Sequence, residues 1–245
     1  MRPVRRGDSP RIDNYSDYTD AKTELISRIG FYCSYCERKI STNLAVEHIE
    51  PKKGVYGRPE LKGIWTNFLL ACVNCNSTKG DKQVVFDKLF FPDRDNTFFA
   101  FEYLADGRIV AAHSLNSQQE MIANTTLSLL GLDKELRESY DDRGNLIAQD
   151  RAGQRMQVWG IAESCLDDYL NNLNIPSVKK LIVQNMEATG FFSVWMTVFN
   201  DCQEMKKLFI AAINGTRESG CFDSCTGETI SPHPNKDSLL AGSKV

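Results

Sequence analysis

The sequence predicts an α+β chain, mainly α, and three observations carry that prediction. Two Cys-x-x-Cys pairs bracket short β-type segments in the first third of the chain. Helical periodicity of the apolar residues then recurs from Ser117 to about residue 213. With 245 residues, of which 42% are hydrophobic, the chain is long enough to bury a substantial core.

Residues 1–18 are polar and turn-rich, with Arg2, Arg5, Arg6 and Arg11 as the concentrated charge. They read either as a frayed basic arm or as a phosphate-binding one. From Thr19, the positions Ala21, Leu25, Ile26 and Ile29 fall on one side of a short helix that stops at Gly30. Leu44-Ala-Val46 reads as a short strand running into Glu47-His48-Ile49, and Pro51 forbids its continuation. A loop rich in Gly, Pro and Lys follows from Lys52 to Gly63. Ile64 to Ala71 is a second apolar segment, and Asn76 to Lys82 a polar helix. Phe98 to Leu104 and Arg108 to Ala112 flank Ala105-Asp106-Gly107 and form a hairpin.

The second half changes character. Ser117 and Glu120 have the spacing of a capping box, and the helical periodicity is interrupted near Gly131, Gly144, Pro176 and Gly190. Gly190-Phe-Phe-Ser-Val-Trp-Met-Thr-Val-Phe199 is rich in large apolar groups; core packing explains it most simply, and a partner-binding helix is the alternative. From Gly215 the chain is polar enough to read as a loose tail. These shifts divide the chain into residues 1–112, 113–214 and 215–245.

The net charge of -3 argues against a protein that coats nucleic acid over its whole surface. Its distribution is uneven, with 16 Lys and Arg against 13 Asp and Glu in residues 1–100, and 13 against 19 in the remainder. A polyanion is therefore expected to meet the N-terminal part. No run of eighteen apolar residues could span a membrane, and the first residues lack the apolar core of a signal peptide, so the expected location is the cytoplasm.

In a reducing compartment, paired cysteines hold metal more often than they form disulfides. Cys33-Ser-Tyr-Cys36 and Cys72-Val-Asn-Cys75 are two knuckles separated by 35 residues. Each brings two thiolates to one side of a turn, and together they supply the tetrahedral sulfur set that zinc prefers. Such a site has no place left for water, so this zinc is expected to hold the fold. A redox pair is the rival reading of either knuckle alone. Cys165 and Cys202 fall in helical pattern and read as core, while Cys221 and Cys225 offer a second, weaker metal pair in the tail.

Between and after the knuckles lie Glu47-His-Ile-Glu-Pro51, Trp65-Thr-Asn-Phe-Leu-Leu70 and Cys72-Val-Asn-Cys-Asn-Ser-Thr-Lys79. Taken together and in order, over about residues 31 to 82, these elements resemble the HNH nuclease family. The resemblance implies a ββα-metal motif followed here by a helical region. It also implies His48 as general base, with Glu47 and Asn76 holding one catalytic Mg²⁺ or Mn²⁺. Asn67 is implied to bond the loop backbone and orient His48. Lys52, Lys53, Lys79 and Lys82 are candidates for flanking phosphates, against the simpler reading of solvated surface lysines. Two positions depart from the commonest pattern: Glu47 stands where many members have Asp, and Asn76 where others have His.

An HNH motif introduced by Cys-Ser-Tyr-Cys-Glu-Arg and followed by a helical region further resembles the PtuB-type nucleases of Septu and retron antiphage systems. That resemblance implies a PtuA-like ABC-type ATPase partner, bound through the helical half. The chain has no Gly-x-x-x-x-Gly-Lys-Ser/Thr of its own, so nucleotide binding would belong to the partner. The expected function is metal-dependent hydrolysis of DNA phosphodiesters. RNA or tRNA cleavage, a restriction or nicking enzyme acting alone, and a catalytically silent zinc-ribbon adaptor are the alternatives.

Overall fold

The computed structural model describes residues 1–134, 136, 138–140 and 146–245; of 138–140 and 146–149 only the backbone is described. A 3-10 turn at Tyr18–Asp20 opens into α1 (Ala21–Ile29), which buries Ala21, Leu25 and Ile29. Gly30 ends α1 with φ 79, a conformation that a side chain would strain. β1 (Ala45–His48) and β2 (Phe68–Ala71) pair antiparallel, with Glu47 opposite Leu69 and His48 opposite Phe68. The chain then turns directly into α2 (Val73–Lys79), whose N-cap is Cys72. The helix expected from Asn76 thus begins one turn earlier, inside the knuckle, because the Cys72 sulfur accepts the Cys75 N–H at 3.4 Å. It ends at Gly80 rather than Lys82.

β3 (Phe101–Tyr103) and β4 (Ile109–Ala111) form the hairpin across Asp106-Gly107. α3 (Ser117–Leu130) carries its capping box one residue before the expected pair, between Asn116 and Gln119. Continuous helical structure does not follow. Glu138–Tyr140 and Leu146–Gln149 pair as β5 and β6, and the expected interruption at Gly144 lies outside the described residues. Helix then resumes as α4 (Arg151–Asn171), α5 (Pro176–Thr189), α6 (Phe192–Val198), α7 (Gln203–Ala212) and α8 (Thr216–Ser219). Pro176 starts α5, where its missing N–H costs nothing.

One apolar core runs from the β1–β2 ribbon into the helices. Phe192, Val194, Trp195, Met196 and Phe199 are buried in it, so the aromatic-rich segment is core and not a partner-binding face. Trp195 and Phe199 stack at 6.2 Å, and Phe209 of α7 meets both edge-on.

Both ends of the chain depart from expectation. The basic arm is neither frayed nor free for phosphate over residues 1–6. Arg2 donates to Ile29 O at 2.7 Å and to Thr216 Oγ1 at 2.6 Å. Arg6 donates to Phe68 O and Thr66 O, each at 2.7 Å, and pairs with Asp93 at 2.8 Å. Arg5 is half-buried and Arg11 is exposed, over the Tyr15 ring. Residues 215–245, expected to be loose, are tied to the body. Lys244 pairs with Asp95 at 2.9 Å, Asn96 Nδ2 donates to Ile230 O at 2.7 Å, and Cys221 and Phe222 are buried. Polar composition misled there because buried polar groups of residues 93–97 hold the segment along with the packing of Phe222 on Phe98 and Phe192.

Candidate active site

The four knuckle sulfurs converge. Cys33, Cys36, Cys72 and Cys75 place their Sγ atoms within 4.8 Å of one another, all buried, and no disulfide joins them. Zinc–sulfur bonds of about 2.3 Å in a tetrahedron set sulfurs about 3.8 Å apart, and Cys36 and Cys72 lie at 3.7 Å. The donor set fits zinc. Among the described residues no other His, Cys, Asp or Glu group has this proximity, so Cys221 and Cys225, one buried and one exposed, do not form a second site.

Sequence reasoning missed Arg151. The first residue of α4 donates to Cys75 Sγ at 3.0 Å and to the carbonyls that end α3, Leu130 O at 3.0 Å and Gly131 O at 2.6 Å. A charged donor to a zinc thiolate offsets the net negative charge of a four-thiolate site. No spacing rule links an arginine to a cysteine 76 residues earlier.

The knot holds α2 beside the β1–β2 ribbon, and a cleft of about 580 Å³ runs along β1. Glu47, His48, Asn76, Lys52, Lys53 and Tyr18 line it. The strand pleat sends the consecutive Glu47 and His48 to opposite faces. The His48 ring packs edge-on between Tyr18 at 4.7 Å and Phe68 at 5.3 Å. Its Nε2 lies 3.0 Å from Lys62 O. A carbonyl can only accept, so Nε2 carries the proton and Nδ1 keeps the lone pair. Burial, with Lys52, Lys79 and Lys62 nearby, lowers the His48 pKa to about 4, although the Lys62 carbonyl opposes the shift. At neutral pH the ring is uncharged, the form a base requires.

Asn67 ends a 3-10 turn at Trp65–Asn67. Its Oδ1 accepts from Glu50 N at 2.8 Å, and its Nδ2 donates to Glu50 O at 3.0 Å and to Leu61 O at 3.4 Å. This clamp fixes the loop that follows His48. Asn76, half-buried on α2, has no side-chain partner among the described residues and lines the cleft.

Glu47 is buried at 3% exposure and pairs with Lys79 at 2.8 Å. Burial raises its pKa, while Lys79 and Tyr35 pull in the other direction. Lys79 is therefore not the surface phosphate contact expected of it. At 1% exposure its ammonium is sealed between Glu47 and His48 O, the latter at 2.8 Å. Lys52 is half-buried in the cleft with Nζ 3.7 Å from the Tyr18 ring centre, and Lys53 is exposed beside it. Lys82 is exposed and does not line the cleft. Tyr18, which no motif singled out, closes one wall against the His48 ring.

A ββα unit clamped by four cysteines, with histidine, carboxylate and amide around one cleft, defines a small metal-dependent hydrolase site. The HNH endonuclease family model matches residues 33–82, a span covering both knuckles and the cleft residues of β1 and α2. The chain is also 30% identical over 141 residues to the retron Vc95 protein of Vibrio cholerae serotype O1 biovar El Tor, which is named for an HNH endonuclease; the match covers 53% of this chain and 68% of that one. The chain belongs to the HNH endonuclease family and is a nuclease.

Proposed function

We propose that the chain hydrolyses phosphodiester bonds of DNA with His48 as general base and Glu47 and Asn76 as ligands of one Mg²⁺ or Mn²⁺. The observation that carries this reading is the His48 ring itself. Lys62 O engages Nε2, burial keeps the ring neutral, and the ring borders the cleft that Glu47 and Asn76 share. Nδ1 takes a proton from the attacking water, and the Lys62 carbonyl stabilises the imidazolium that forms. Asn67 keeps the loop after His48 in register with the ribbon. Lys52 and Lys53 supply positive charge where a nucleic-acid backbone enters the cleft. A bound cation supplies neutralisation of the charge that builds on the phosphate and its leaving oxygen. Oxygen and amide donors of this kind suit a hard dication.

We further propose a PtuB-like role, as the nuclease effector of an antiphage defence complex with an ABC-type ATPase. The retron name of the relative supports it. The partner surface is assigned to residues 113–214, where Leu170, Leu173, Ile175 and Leu181 are exposed around the α4–α5 connection.

The chain is to be assayed alone and with an ATPase encoded beside it, on DNA and on RNA, with Mg²⁺ or Mn²⁺. His48→Ala is expected to lower cleavage by about 10²–10⁴-fold while zinc content stays unchanged. Undiminished cleavage by the variant would remove His48 as the base, and cleavage of RNA alone would replace the DNA assignment.

A further inference from the structure

Lys79 occupies a position that solvation does not explain. Its Nζ lies 2.8 Å from Glu47 Oε1 and donates to His48 O at 2.8 Å, with both side chains almost wholly buried. Tyr35 OH donates to the same Glu47 oxygen at 3.5 Å. The hydrogen bond from Tyr35 and the ion pair with Lys79 both fall on Oε1, and Glu47 lines the cleft. One carboxylate oxygen is thus held from inside the protein. Burying an ammonium is costly unless it is paired and hydrogen-bonded, and here two of its three donors are met by groups of consecutive residues on β1.

We infer that Lys79 is a positioning residue for the nuclease reaction, pinning Glu47 Oε1 and the His48 carbonyl from one point on α2, so that Glu47 presents its other oxygen to the catalytic cation. The inference rests on the reading of Glu47 and Asn76 as ligands of that cation. Lys79 and Asn76 are three residues apart on α2, so they lie on one face of the helix. A rigid-body movement of α2 would therefore shift Asn76 and the brace on Glu47 together. Groups of this kind, one bond removed from a metal, orient the ligands that touch it.

The test is Mn²⁺ binding to the zinc-loaded full chain, followed by electron paramagnetic resonance, with cleavage kinetics measured in parallel. Lys79→Met is expected to retain zinc, to raise the Mn²⁺ dissociation constant by about 10–100-fold, and to lower kcat with KM for nucleic acid unchanged. Lys79→Arg, which keeps the charge, is expected to recover part of the loss. Should Lys79→Met not fold, Lys79→Gln carries the same readouts. Wild-type Mn²⁺ affinity in the neutral variant, or a raised KM at unchanged kcat, overturns the positioning role; the second result would make Lys79 a phosphate contact. Equal Mn²⁺ affinity in wild type and Glu47→Gln would instead show that the cation binds elsewhere, and the reading of the cleft would fall with the inference.

Discussion

Asp93 carries two guanidinium groups, Arg6 at 2.8 Å and Arg94 at 3.0 Å, all three side chains being buried. Burial alone would raise its pKa, but the two cations more than offset that and hold the carboxyl well below the usual range. A carboxyl depressed in the folded state contributes stability that is fully present above its ordinary value of about 3.9. That contribution is lost as pH falls through the lower folded value. Urea midpoints measured from neutral pH into this acid window should fall for the wild type. Asp93→Asn should lose about 3–5 kcal/mol at neutral pH and show a shallower acid slope. Arg6 also holds Phe68 O and Thr66 O, so this loss reaches the strand beside His48. None of this was legible in the sequence, where Arg6 is one of four arginines in a polar stretch. The convergence of the four cysteines was legible, because each Cys-x-x-Cys spacing encodes a local turn. Lys79 was half legible: its place in the motif is plain, but only packing shows that its four-carbon stem turns inward.

At the scale of elements, the α2, α3 and α4 termini meet at the four-cysteine cluster through one side chain. Arg151 joins the carbonyls at the end of α3 to the sulfur of Cys75, which lies in α2. Arg151→Met should leave the four ligands in place and release zinc to a chelator about tenfold or more faster, as followed with a zinc-responsive dye. An unchanged release rate would limit Arg151 to joining α3 with α4. The helices of the second half were legible from their periodicity, and so was the hairpin around Gly107. The β5–β6 pair was not, since segments of three and four residues are too short for period two to stand out from period 3.6. The capping box was misread by one residue because Ser117 and Asn116 are both competent caps, and only the backbone decides between them.

Across the whole molecule, the two ends of the chain close on one another and on the hairpin region. Arg2 reaches Thr216, Arg5 pairs with Asp237 at 2.7 Å, and Lys244 reaches Asp95. Removing residues 215–245 should therefore not behave like trimming a tail. It leaves Asp95, buried at 0% exposure, without its ammonium, and uncovers Phe192, which packs on Phe222 at 5.9 Å. The truncated chain is expected to lose its cooperative thermal transition; a melting temperature within a few degrees of the full chain would refute this. No helix among the described residues is long and apolar enough to cross a membrane. The continuity of the core from the β1–β2 ribbon into the helices was not legible, because it depends on contacts between residues more than a hundred positions apart, such as Phe98 on Phe222.

The two-stranded ribbon that carries Glu47 and His48 is only four residues long on each side, and such a ribbon has little of its own to hold its register. A slip of one residue would exchange the faces of the strand, turning the imidazole toward Lys79 and the carboxylate toward Tyr18. The second knuckle begins at the residue after β2 ends, and Ser34, within the first, accepts Leu70 N–H through its hydroxyl and donates its own N–H to Leu70 O. The four-cysteine knot thus acts as the reading frame of the cleft, deciding which of two adjacent side chains faces Tyr18 and which faces Lys79.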